Sequence, residues 1–210
     1  MLGVFVTSLA ALVVLLATER AAKTNKISTE VSRKIPHVVG SLAIATWPFF
    51  VSMHTVLTLG LVFTFAAIGV RVFNLFPNTR FVDRKSWGEP LFGLGVAGAA
   101  VIGPSKWVFA AAMLYLGVAD SVAALVGKRR GKRQFQFFGH IKSLEGSLAF
   151  LVAAICITAL LVFMAPAGLD SHWQVVIWLP LLATAVEAIA PWGIDNLALP
   201  IIVTAVLASL

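Results

Sequence analysis

The apolar positions of this chain fall into long unbroken runs. They show neither the strict alternation of a half-buried strand nor the one-sided stripe of a surface helix. Eight runs can be marked, at about 2–18, 36–53, 54–70, 88–104, 107–126, 147–165, 173–190 and 196–210. Continuous runs of this kind predict helices that face lipid or one another inside a bilayer, and exclude the alternating pattern of a membrane β-barrel. Several fall short of the ~20 residues that cross a ~30 Å hydrocarbon core. The fourth is the least regular, with Glu89 near its start and Gly93, Gly95 and Gly98 inside it. The expected fold is an all-α polytopic integral membrane protein of about eight transmembrane helices, forming one domain over residues 1–210. Leu2 to Thr18 resembles the apolar core of a signal peptide but has no basic stretch before it, and is read as a retained helix.

Polar positions set the topology. Loop 1 (19–35) carries Arg20, Lys23, Lys26, Arg33 and Lys34, and loop 3 (71–87) carries Arg71, Arg80, Arg84 and Lys85. Loop 5 (127–143) carries Lys128, Arg129, Arg130, Lys132, Arg133 and Lys142. Only Lys106 of the 16 Lys and Arg residues falls in an even-numbered loop. Because cytoplasmic loops collect Lys and Arg, the odd loops face the cytoplasm and both termini lie on the other side. The same parity requires the fourth run to cross, since otherwise loops 3 and 5 would lie on opposite sides.

Composition agrees: 60% of residues are hydrophobic and 12% charged, against about a quarter charged in soluble domains. The net charge of +7 is accounted for by this loop placement, so no nucleic-acid partner is expected. Cys156 is the single cysteine, which rules out an intrachain disulfide and a cysteine metal site. His54, His140 and His172 show no metal-ligand spacing.

Acids break the apolar pattern where they cost most. Asp120 lies inside the fifth run, where a charge is expensive and marks function by default. Seven residues separate it from Gly127, which puts it about 10 Å below the expected helix end. Asp120, Ala123, Ala124 and Gly127 share one small-residue face, able to admit a ligand or another helix. Glu187 lies a turn below the same surface, while Glu145 and Asp195 open the sixth and eighth runs. Four acids from four segments thus approach one depth beneath a basic cytoplasmic surface.

Each of these residues also has a plainer reading. The basic loops follow from topology and from attraction to anionic lipid. Asp120 could simply pair with a neighbouring Arg. Ser143 followed by Glu145 suits an N-cap and the helix dipole, and Asp195 or Asn196 could cap the last run. His37 fits an interfacial structural histidine. Glu187 has no capping role to explain it. GKRRGKRQF does not match GxxxxGK[ST], so a P-loop is excluded.

Acids within the membrane beneath cations suit the joining of a lipid to a charged cytosolic nucleotide. In phosphoryl transfer, carboxylates hold Mg²⁺ and orient the attacking hydroxyl, while Lys and Arg offset the charge of the transferring group. A lipid alcohol presents its hydroxyl at the interface with its tail in the bilayer, near the depth expected for Asp120 and Glu187.

Four motifs occur in order: RKIPHVVG, DSVAALVGKRRGK, KSLEGS, and Glu187 followed by Asp195-Asn196-Leu197 and Pro200. Together, over about residues 30–205, they resemble the CTP-dependent polyprenol, dolichol and phytol kinase family, which includes a diacylglycerol kinase branch. The resemblance implies transfer of the γ-phosphate of CTP to a long-chain isoprenoid alcohol in a membrane, with Mg²⁺ as cofactor. It implies a nucleotide and metal site of Asp120, Gly127, Lys128, Lys142, Ser143, Glu145, Gly146 and Ser147. Arg33, Lys34 and His37 match its first motif, and Glu187, Asp195 and Asn196 its last.

Within that site Asp120 would bind metal or act as general base, with Glu187 as its alternate, and Glu145 or Asp195 would hold Mg²⁺. Lys128, Lys132 and Lys142 would bind phosphates, aided by Ser143 and the first amides of the sixth run. The chain lacks the extra N-terminal spans of the dolichol kinases and is similar to the compact phytol kinase-like branch. The alcohol stays open among polyprenol, dolichol, phytol and farnesol types. Expected partners are this alcohol, CTP and membrane lipids, with room for an oligomer, in the cytoplasmic membrane of a prokaryote.

Three rival readings are a diacylglycerol kinase, a cytidylyltransferase that releases pyrophosphate, and a small transporter. The CDP-alcohol phosphotransferase pattern DGxxARxxxxxxxxG is missing. The paired broken helices and repeated halves of many transporters are also not evident.

Overall fold

The computed structural model describes residues 2–24, 26–73, 86–164 and 173–210, which are almost wholly helical. In chain order come α1 (Leu2–Lys23), α2 (Thr29–Thr46), a short 3₁₀ turn (Trp47–Phe49), α3 (Met53–Val72) and α4 (Gly88–Ile102). One rod follows, made of α5 (Lys106–Leu114), a π-helical turn (Tyr115–Ala119) and α6 (Asp120–Arg130). A hairpin of β1 (Gln134–Phe137) and β2 (His140–Ser143) leads into α7 (Leu144–Met164), and α8 (Val175–Ile189) and α9 (Asp195–Ala208) complete the bundle.

Serine starts four of these helices. Ser28, Ser52, Ser105 and Ser143 each precede a helix, and each Oγ accepts the amide N–H three residues on, at 3.4, 3.2, 3.3 and 3.1 Å. Such caps satisfy one of the amides that a helix start leaves without a partner.

Among the described residues, four helices are long and apolar enough to cross a membrane: Leu2–Lys23, Met53–Val72, Lys106–Arg130 and Leu144–Met164. The expectation of eight spans is therefore met only in part. The other four runs are helical, but α4, α8 and α9 have 15, 15 and 14 residues, about 22 Å of helix at ~1.5 Å per residue. The apolar run in α2 shares the helix's 18 residues with Arg33 and Lys34 of its second turn. Arg80, Arg84, Lys85 and His172 lie outside the described residues.

The rod is the most buried of the long helices. Phe109, Met113, Tyr115 and Leu116 are fully enclosed on it, packed with Phe150 of α7, Leu179 of α8 and Val203 of α9. The Tyr115 hydroxyl and Thr158 Oγ1 lie 2.5 Å apart within this core, as a buried polar group requires. α1 stands at the periphery against α2, with Leu2, Phe5, Val6 and Val13 exposed as lipid-facing side chains would be.

Polar connections meet at one end of the bundle. Asn196 Nδ2 donates to Gly88 O at 2.9 Å, and Trp87 N–H donates to Trp192 O at 3.1 Å. Arg71 at the end of α3 donates to Ser86 O at 2.6 Å and lies 4.5 Å over the Trp87 ring. The turn joining α8 to α9 reaches α4 by way of Gly193, where φ is +87° and a Cβ would meet the Gly88 Cα at 2.6 Å. Only glycine meets both demands. The Trp192 N–H before it donates to His140 Nε2 at 3.2 Å, which ties this turn to the hairpin.

The hairpin departs from the expected all-α fold, in which residues 127–143 form a loop. Gln-Phe-Gln-Phe alternates as a strand does, and Phe138 and Gly139 turn the chain with φ of +44° and +81°. Two positive φ values match the twist of a two-residue hairpin turn. Lys128, Arg129 and Arg130 belong to the last turn of α6 and not to a loop, where cations complement the helix C-terminus. Asp120 consequently sits ten residues from the helix end, about 15 Å and deeper than the sequence spacing implied.

Candidate functional site

The π-helical turn sets Asp120 in place. In a regular α-helix its amide would donate to the Leu116 carbonyl, four residues back. Here the Asp120 N–H bonds the Tyr115 carbonyl instead. The Leu116 carbonyl faces His37 Nε2 at 3.0 Å. π-turns of this kind frequently mark functional sites. His37 also lies 3.7 Å from Asp120 Oδ2, and Lys34 one turn earlier on α2 donates to that same oxygen at 2.5 Å. Lys34 and His37 are three residues apart and so share a helix face. The Asp120 side chain is only 8% exposed.

A second acid–base pair stands beside the first. Lys142 near the end of β2 donates to the Glu187 carboxylate and, at 2.6 Å, to the Glu187 carbonyl. Its Nζ lies 3.9 Å from Asp195 Oδ2. One carbonyl and two carboxylates thus surround a single ammonium. Removing Lys142 would leave the buried Glu187 carboxylate without its cation, at a cost of about 3–5 kcal/mol.

Both pairs face one cavity of about 440 Å³, a size within the ~300–1,000 Å³ range of ligand sites. Every residue singled out from the sequence lines it except His37, Lys132, Glu145 and Asn196. Arg33, Lys34, Lys128 and Lys142 contribute cations, and Asp120, Glu187 and Asp195 contribute carboxylates. Its floor is the small face of Ala123, Ala124 and Gly127 with Gly146 and Ser147 of α7. That face serves both readings left open by the sequence, because α6 and α7 also cross there. A Cβ on Gly146 would meet the Ala123 carbonyl at 2.9 Å.

The four exceptions have other contacts. His37 lies behind Asp120, and Asn196 pins α9 to α4. Glu145 does not join the other acids: its carboxylate accepts the amides of Lys132 and Arg133 at 3.1 to 3.3 Å and so holds the base of the hairpin. Ser143 caps α7 and lines the cavity as well. Gln134 and His140 line it and were not singled out. Their signal in the sequence was the Gln-Phe-Gln-Phe alternation that forms the hairpin.

Among the described residues, no group of three or more His, Cys, Asp or Glu side chains is placed to hold a metal ion. Magnesium, however, commonly takes one or two carboxylates and completes its shell with phosphate and water. Glu187 Oε2 is buried without a hydrogen-bond partner, which normally calls for a ligand or water. Glu187 with Asp195 therefore fits a Mg²⁺ brought in with a phosphate, while the Glu145 carboxylate is taken up by the two amides at the hairpin base.

The cavity of acids and cations, lined on one side by residues of the hairpin, lies in a chain whose long apolar helices and relative place it in the class of lipid-kinase-like membrane proteins. The chain is 31% identical over 200 residues to phytol kinase from Synechocystis sp., an alignment that covers 90% of this chain and 82% of that one. The chain belongs to the phytol kinase family. No protein-family model matches it, and no solved structure matches it.

Proposed function

We propose that this protein transfers the γ-phosphate of CTP to the hydroxyl of a long-chain isoprenoid alcohol at the cytoplasmic face of a membrane. The observation that carries this reading is the pair of buried contacts, Lys34–Asp120 and Lys142–Glu187, facing one cavity at the polar end of the bundle. The eight helical runs then cross the bilayer in alternation, and both termini lie opposite the cavity. The relative's name makes phytol the first alcohol to test.

In this mechanism the alcohol oxygen attacks the γ-phosphorus while the bond to the β,γ-bridging oxygen breaks, so CDP leaves. Asp120 takes the hydroxyl proton, with Glu187 as the alternate acceptor. Lys34 sits on Asp120 and offsets the charge gathering on the transferring group. Arg33, Lys128 and Lys142 hold the phosphates, with the Ser143 and Ser147 hydroxyls as donors. Mg²⁺ held by Glu187 and Asp195 would supply charge neutralisation between the phosphates.

The test uses purified protein, Mg²⁺, γ-labelled CTP or ATP, and a panel of phytol, farnesol, undecaprenol and diacylglycerol. Labelled lipid from CTP supports the proposal and names the acceptor. Pyrophosphate release without labelled lipid would replace it with a cytidylyltransferase. Folded protein that forms neither product would remove the kinase reading.

A further inference from the structure

The charged cavity has an apolar neighbour. Between α2 and α6 lies a groove of about 260 Å³, walled by Val31, Ile35, Val38, Val39 and Leu125. Lys34 belongs to the walls of both spaces. Val31, Ile35 and Val38 recur at i, i+4 and i+7 and so form one stripe of α2, about 10 Å long at ~1.5 Å per residue. Lys34 lays its aliphatic stem along this stripe while its ammonium reaches Asp120, the arrangement that long cationic side chains favour.

Direction follows from the fold. α2 starts at the polar end of the bundle, so Val38 lies one turn deeper than Lys34, towards the hydrocarbon. Apart from Lys34 the groove is walled by aliphatic side chains, so a polar ligand gains nothing from it. A ligand with a hydroxyl at Asp120 and a hydrocarbon chain would place each part in matching surroundings.

We propose that this groove holds the aliphatic chain of the lipid alcohol beside the hydroxyl, and so decides which alcohols reach Asp120. The proposal rests on the kinase reading of the charged cavity and adds the tail site to it. Val38, Val39 and Leu125 are its specificity residues, because a larger side chain at any of them narrows the groove without touching the charged wall.

The experiment uses the full chain in phosphatidylcholine nanodiscs. Farnesol bearing a diazirine on its first isoprene unit is photolysed there, and labelled peptides are mapped by mass spectrometry with and without excess phytol. Val38→Trp is run in parallel, with Val39→Phe as the smaller change should the first fail to fold. Phosphate transfer from γ-labelled CTP is measured on the same samples. Label is expected within 31–39 and around Leu125, lowered about tenfold by phytol or by V38W, with the nucleotide KM of V38W changed less than about twofold. Label spread over the lipid-facing helices and indifferent to phytol would overturn the proposal, leaving the groove to bilayer lipid. Label confined elsewhere while transfer proceeds would sink the groove and spare the kinase reading. Groove label that phytol displaces, without any transfer, would keep the groove as a lipid site and sink the kinase reading.

Discussion

His37 Nε2 lies 3.0 Å from the carbonyl oxygen of Leu116, an oxygen that a regular α-helix would have reserved for the Asp120 amide. The widened turn moves that amide to the Tyr115 carbonyl and hands the Leu116 carbonyl to α2. One local change of register thus ties α2 to the rod and brings Lys34 against Asp120.

This tie predicts a stability effect separate from catalysis. His37→Ala leaves a buried carbonyl without its partner and should destabilise the fold by about 1–3 kcal/mol. His37→Gln, which keeps a donor, should recover part of the loss. Denaturation midpoints in detergent check both.

Asp120→Asn keeps the volume and an acceptor for Lys34 but removes the charge. Phosphate transfer should fall ~10²–10⁴-fold, the range associated with loss of a general base. The variant should elute from size exclusion as the parent does. Full activity from that folded variant would remove Asp120 from the chemistry.

Lys142 and Glu187 act as a unit. Lys142→Met should cost about 3–5 kcal/mol by leaving a buried carboxylate unpaired. Adding Glu187→Met should restore much of that stability, since an apolar pair can replace a buried ion pair. Activity should remain lost in the double variant. A double-mutant cycle read by thermal unfolding and by phosphate transfer separates the two effects.

Neighbouring cations should differ because only one faces the cavity. Lys128 lines it, whereas Arg129 and Arg130 on the same helical turn do not. Lys128→Gln should raise the nucleotide KM about tenfold, a loss of about 1.4 kcal/mol. Arg129→Gln should change it less than about twofold, as an exposed charge remote from the ligand does. Initial-rate kinetics at fixed ionic strength distinguish them.

Glu145 supplies a test of the metal assignment. Its carboxylate caps the Lys132 and Arg133 amides, so Glu145→Gln should leave the Mg²⁺ dependence of the rate unchanged. The nucleotide KM should rise as the hairpin loosens. A Mg²⁺ titration of the variant decides this, and a clear rise in the Mg²⁺ requirement would return Glu145 to the metal.

Some of the site was legible because it depends on local properties. Asp120 and Glu187 stood out as charges within apolar runs, and the odd loops stood out by their cations. The hairpin is hard to read from the sequence because four-residue strands carry a weak periodic signal, and topology alone explains the six cations in that stretch. Glu145 shares only its expected depth with the other acids, and depth does not say where a carboxylate points.

The sequence by itself determined a helical membrane protein with acids at depth and cations gathered at one end, since transfer of side chains between water and hydrocarbon is a residue-by-residue property. Only the tertiary structure decided which charges meet. Lys34 and Asp120 are 86 residues apart, and Lys142 and Glu187 are 45 apart. Their pairing depends on how α2, the rod, the hairpin and α8 pack, and on a π-turn that no spacing of apolar residues announces. The groove beside Lys34 has the same origin, because a space between two helices belongs to neither sequence alone.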